Sequence, residues 1–192
     1  MSEYKKRDLK KELKEQALSI PNLLSYFRLL LIPAFVILYM QEKFPAALAV
    51  LAASGLSDTL DGRIARKYNM VTDLGKFIDP VADKLTQFAM IICVATRFPA
   101  MWILLIIHTV KELIMLVFGI YILRKTDTVN SAKWYGKLCT GVIYAVMMVH
   151  VIVPNIPLAV SNACVVLCAG LIIMCFVMYS LRYVKLLRET KA

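Results

Sequence analysis

Apolar residues fill this chain in long runs separated by short polar stretches. Six runs stand out: Leu23–Met40, Phe44–Leu60, Phe77–Arg97, Pro99–Leu123, Leu138–Val153 and Ile156–Tyr183. A helix that crosses a bilayer needs about 20 mostly apolar residues, and each run is near that length. Backbone polar groups find no water in lipid, so a helical bundle is the expected solution. The apolar positions recur with helical period, not with the alternation of ~10-residue barrel strands. Links such as Gln41–Lys43 and Pro154–Asn155 are so short that consecutive helices must be antiparallel neighbours. The pattern predicts an all-α polytopic membrane protein with six transmembrane helices. Before them, Leu9, Leu13 and Ala17 recur at i, i+4 and i+8 among lysines. That spacing predicts an amphipathic helix over residues 1–19, lying on the membrane surface, followed by one six-helix domain over residues 20–192. Pro21 marks the start of the first span, and Pro33 predicts a kink within it.

Composition narrows the class. The 192 residues are 60% hydrophobic and 19% charged, against about 45–50% and about 25% in an ordinary soluble domain. Disorder, low complexity and a soluble globule are excluded. The net charge of +10 would suggest nucleic acid in a soluble protein. Here the charge follows the spans, and no nucleic-acid partner is expected. Eighteen of the 23 lysines and arginines fall on one side of the predicted bundle, whereas the other side has only Lys43 and Arg97. Cytoplasmic loops collect such residues, so both termini are expected in the cytoplasm of a multi-pass plasma-membrane protein in contact with anionic lipid. The basic first 19 residues lack the apolar stretch of a signal peptide. The five cysteines lie in apolar runs without a C-x-x-C pair, and are read as small buried hydrophobes.

The acids are distributed unevenly. Five of 13 fall between Asp58 and Asp83. Asp58 and Asp61 are i, i+3 at the end of the second run; Asp79 and Asp83 are i, i+4 at the start of the third. Each pair shares a helix face, and the short basic turn between them brings the two helix ends together. Four converging carboxylates repel one another and are costly to desolvate. Arg63, Arg66, Lys67, Lys76 and Lys84 offer neutralisation by a salt-bridge network, but four acids on two facing helix faces exceed what that needs. Oxygen-only ligation suits Mg²⁺, Mn²⁺ or Ca²⁺. Gly62 and Gly75 flank the turn and permit close approach of a ligand to the backbone; Arg66 is placed to grip a phosphate.

The run from Asp58 to Asp83 reads D-x2-D-G-x2-A-R-x8-G-x3-D-x3-D, and all eight fixed positions resemble the signature of the CDP-alcohol phosphatidyltransferase family. The resemblance covers residues 19–189. It implies a six-span enzyme with a cytoplasmic site that transfers a phosphatidyl group from CDP-diacylglycerol to an alcohol and releases CMP. It implies two Mg²⁺ or Mn²⁺ ions held by Asp58, Asp61, Asp79 and Asp83, with Asp83 also the general base. It implies a CDP-donor pocket of Asp58, Gly62, Ala65, Arg66, Gly75, Asn22 and Ser25, and it admits a homodimer.

The opening Ile20-Pro21-Asn22-Leu-Leu-Ser25-Tyr-Phe-Arg28 is similar to that of bacterial phosphatidylglycerophosphate synthases and cardiolipin synthases, with Ser25 where Thr is usual. Asn22, Ser25 and Arg28 share one face. Arg28, Lys111, Lys133 and Lys137 are the cations expected to hold the acceptor. Lys111-Glu112 stands where the synthases usually have Arg-Glu, and Cys139 replaces the second lysine of their Gly-Lys-x-Lys-Thr. Glycerol 3-phosphate is the first acceptor expected and phosphatidylglycerol the second; inositol phosphate and serine come after them. A membrane prenyltransferase would have two separated aspartate-rich loops. A transporter would place its ionisable groups near the midplane, commonly within inverted repeats. This chain has neither feature.

Overall fold

The computed structural model describes residues 19–68, 70, 72–126 and 134–189. The amphipathic helix expected over residues 1–19 lies outside that range but for Ser19, as does Lys133. The described elements are helices: α1 (Ile20–Met40), α2 (Phe44–Lys67), α3 (Asp73–Ala95), α4 (Met101–Thr126), α5 (Trp134–Ile152) and α6 (Leu158–Glu189). Four of them, α1, α4, α5 and α6, contain stretches long and apolar enough to cross a membrane. Helices α2 and α3 have 24 and 23 residues, but their sequences carry the acidic and basic residues of the motif. The chain divides into two compact units, the first ending at Cys93 and the second starting at Val94.

In the first unit α1 packs along α2. Its buried residues are Pro21, Asn22, Ser25, Arg28, Phe35 and Tyr39, a stripe at helical spacing that is polar at one end and aromatic at the other. The buried stripe of α2 is small but for Leu51: Ala47, Ser54 and Ser57 lie on it, and the same spacing carries Asp61 inward. Small residues let two backbones approach closely where lipid supplies no hydrophobic drive between helices. Pro21 falls in the first turn of α1, where its missing N–H leaves nothing unsatisfied. Pro33 sits inside α1, which continues through it to Met40. The α1–α2 corner is closed by two bonds: Lys43 N–H donates to Leu38 O at 2.9 Å and Glu42 N–H to Tyr39 O at 2.9 Å. Glu42 has φ of 58°, the left-handed conformation such a helix end requires and usually gives to glycine.

In the second unit α6 packs against both α4 and α5. Cys139, Ile143, Met147 and His150 are buried on α5, and Ser161, Cys168, Ile172 and Cys175 on α6. His150 is satisfied there: Nδ1 donates to Val146 O at 2.7 Å and Nε2 accepts from Ser161 Oγ at 3.0 Å. All five cysteines are free thiols.

Candidate functional site

Every polar residue singled out on α1 is buried. Asn22, Ser25 and Arg28 are 1%, 0% and 3% exposed, so the i, i+3, i+6 face does point into the helix packing. A buried guanidinium needs carboxylates, and Arg28 has three. Nη1 lies 2.5 Å from Asp58 Oδ1; Nη2 lies 3.2 Å from Asp61 Oδ2 and 3.5 Å from Asp79 Oδ1. Arg28 thereby joins α2 and α3, the two helices that carry the acid motif. Ser25 adds a second link. Its Oγ donates to Asp79 Oδ1 at 2.5 Å, a charge-assisted bond, and stands 3.1 Å from Pro21 O.

The acids differ in their surroundings. Asp58 and Asp79 keep side-chain exposures of 57% and 45%, whereas Asp61 keeps 5%. Asp61 Oδ2 lies near the guanidinium but off its hydrogen-bonding direction, and it accepts no hydrogen bond. Asp83 follows Asp79 by one turn of α3 and is half-buried, as is Gly62, next to Asp61 on α2. Ala65 and Arg66 continue α2; their side chains lie outside the described residues.

At the other end of the α1 face, Asn22 meets the start of α3. Its Nδ2 donates to Thr72 Oγ1 at 3.0 Å, and Thr72 Oγ1 stands 3.3 Å from Asn22 Oδ1. The same hydroxyl accepts the Gly75 N–H at 3.0 Å, the bond of a helix N-cap. A Cβ on Gly75 would stand 2.6 Å from Asn22 Oδ1. Thr72 carries the cap that starts α3, yet it is not among the residues the motif identifies. A Thr three residues before a buried Gly, at the head of an apolar helix, is the signal that finds it.

Among the described residues no three ligating side chains stand together as a ready-made metal site; the Arg28 guanidinium lies against three of the acids instead. The residues nevertheless fit a hard divalent cation. All donors are carboxylate oxygens, three carboxylates face one guanidinium, and the buried Asp61 Oδ2 accepts no hydrogen bond.

The expected acceptor cations belong to different units. Arg28 is engaged with the acids in the first unit. Lys111 is in the second unit, paired through Nζ with Glu112 Oε1 at 2.6 Å. It lines a cavity of about 300 Å³ with apolar residues of α4 and α6, among them Ile107, Ile114, Ile172 and Phe176. Lys137 is exposed on α5, next to Gly136, whose missing Cβ leaves room for Tyr179 Oη.

The family model described as CDP-alcohol phosphatidyltransferase matches residues 18–180. The chain belongs to this family. Members generally depend on a divalent metal. The chain is 34% identical over 139 residues to a CMP-forming cardiolipin synthase of Streptomyces coelicolor, covering 68% of this chain and 64% of that protein. It is 37% identical over 110 residues to a CDP-diacylglycerol–glycerol-3-phosphate 3-phosphatidyltransferase of Wigglesworthia glossinidia brevipalpis, covering 55% and 57%. It is 33% identical over 130 residues to the transferase of the same name from Escherichia coli K12, covering 64% and 70%. The first two matches thus span less than two thirds of those relatives.

Proposed function

We propose that this CDP-alcohol phosphatidyltransferase moves the phosphatidyl group of CDP-diacylglycerol onto glycerol 3-phosphate and releases CMP. The observation that carries the reading is the convergence of Asp58, Asp61 and Asp79 on the end of α1, with Asp83 one turn further on α3. Asp58, Asp61, Asp79 and Asp83 would hold two Mg²⁺ or Mn²⁺ ions, which when bound neutralise the pyrophosphate and polarise its phosphorus. Asp83 takes the proton of the acceptor hydroxyl. The freed oxygen bonds to the phosphorus that carries diacylglycerol, and the bond from that phosphorus to CMP breaks. Gly62, Ala65, Arg66 and Gly75, with Asn22 and Ser25, are assigned to binding the donor. Arg28 in the first unit, and Lys111, Lys133 and Lys137 in the second, are each a candidate to contact the acceptor.

Six spans are part of the same reading. Helices of 24 and 23 residues reach about 36 and 34 Å at 1.5 Å per residue, enough for α2 and α3 to cross a hydrocarbon core of about 30 Å. The acids then sit at the cytoplasmic face of the plasma membrane, with both termini, where the lipid tails stay in the bilayer while CMP leaves to water.

A second acceptor is favoured by two observations. Lys111 is neutralised by Glu112, and Cys139 stands where the synthases carry a lysine, so the second unit offers fewer free cations to a dianionic phosphate. Phosphatidylglycerol, with one charge on its phosphodiester, is less demanding. Purified protein given labelled CDP-diacylglycerol and each acceptor in turn separates the two: phosphatidylglycerophosphate is the expected product, and cardiolipin formed only from phosphatidylglycerol replaces the first acceptor with the second.

A further inference from the structure

Thr72 has no part in the proposed chemistry, yet its hydroxyl joins Asn22 of α1 to Gly75 of α3. Thr72 Oγ1 accepts from Gly75 N–H and from Asn22 Nδ2, each at 3.0 Å, and lies 3.3 Å from Asn22 Oδ1. Asn22 is 1% exposed, so its amide exchanges these contacts for no water. Gly75 is buried beneath that amide, with space for a hydrogen but not for a methyl group: its Cβ would stand 2.6 Å from Asn22 Oδ1 and 3.1 Å from Thr72 Oγ1. One turn further along each helix, Ser25 Oγ bonds Asp79 Oδ1 at 2.5 Å. Two polar links one turn apart fix both the position and the register of α3 on α1; a single link would leave rotation free.

We infer that Thr72 and Gly75 form a seat for the Asn22 side chain that locks α3 to α1, making Thr72 a positioning residue for Asp79 and Asp83. The glycine of the motif is then explained by the Asn22 amide above it, and its role does not require that a phosphate approach its backbone. A one-residue slip of α3 would turn the acids by about 100° around the helix axis, so the lock determines which acids meet Ser25 and Arg28. The inference rests on the phosphatidyltransferase reading for its kinetic consequences only; the lock itself is a property of two side chains, Asn22 and Thr72, and of the Gly75 backbone.

A double-mutant cycle tests it on full-length protein in detergent, read by CMP release and by the apparent Tm. Gly75→Ala alone is expected to lower turnover about tenfold or more. In the Asn22→Ala background the added methyl group meets no amide, and the further loss from Gly75→Ala should shrink to about twofold, a coupling of the size found between contacting residues. Thr72→Val should lower kcat more than it raises the donor KM, and Thr72→Ser should restore most of the loss. Independent effects of Gly75→Ala and Asn22→Ala in both kcat and Tm would overturn the lock and favour a ligand over Gly75. Equal damage from Thr72→Ser and Thr72→Val would remove the hydroxyl from the account. If the wild type released no CMP, the phosphatidyltransferase reading would fail, and coupling in Tm would still decide the lock.

Discussion

Replacing Arg28 with Gln takes away the guanidinium that faces the carboxylates of Asp58, Asp61 and Asp79. Breaking a buried pair from one side costs about 3–5 kcal/mol, because the remaining charge stays out of water. Asp58 and Asp79 are 57% and 45% exposed, so solvent screens most of their share. Asp61, 5% exposed, bears the penalty, which places the loss near the lower figure, about 3 kcal/mol. At about 2–4 °C per kcal/mol for a chain of this size, the apparent Tm of Arg28→Gln in EDTA should fall by about 6–12 °C. Divalent metal should narrow that gap. The variant's acids no longer share their oxygens with a guanidinium, so Mn²⁺ should bind it more tightly than the wild type, and ligand binding to the folded state alone raises stability by about 2.7 kcal/mol at 100 times Kd. Thermal unfolding of both proteins in EDTA and across a Mn²⁺ titration measures both effects. An unchanged Tm in EDTA would refute the buried pairing of Arg28 with Asp61. A gap that stayed the same at every Mn²⁺ concentration would refute the idea that the acids accept a cation.

Ser25→Ala removes a charge-assisted bond to Asp79, worth about 1.5–3 kcal/mol, so kcat/KM for the donor should fall roughly 10–150-fold with the fold retained by circular dichroism. Asp83→Asn should keep donor binding, measured by retention of CDP-diacylglycerol, while turnover falls by at least about 100-fold, since an amide takes no proton. Lys137→Ala should raise the KM for glycerol 3-phosphate by about 10–150-fold and leave the donor KM near its wild-type value; a neutral result would assign Lys137 to lipid headgroups.

The apolar runs were legible because lipid enforces them, and four of the six coincide with helices apolar enough to cross a membrane. Their ends were less so. The third apolar run begins at Phe77, whereas α3 begins at Asp73. Hydropathy registers where side chains turn apolar, but the helix starts where Thr72 caps it. The fourth and sixth helices run past their apolar stretches to Thr126 and Glu189 for a related reason, since polar residues continue a helix as readily as apolar ones. The acid pairs were legible from local spacing along two helices. The partner of Arg28 was not, because that pairing joins residues 30, 33 and 51 positions apart on different helices, and only the packing of α1 decides which charge it meets. For Gly75 the motif indicates that a side chain is excluded, but only the fold shows the Asn22 amide in that space.

The most direct test of the central claim is release of CMP from cytidine-labelled CDP-diacylglycerol by the purified protein in mixed micelles, with acceptor present. Release should require the acceptor, stop on addition of EDTA, return with excess Mg²⁺ or Mn²⁺, and be lost in Asp61→Asn. Full release in metal-free buffer, or release by Asp61→Asn at the wild-type rate, would contradict an acid cluster that works by holding divalent ions.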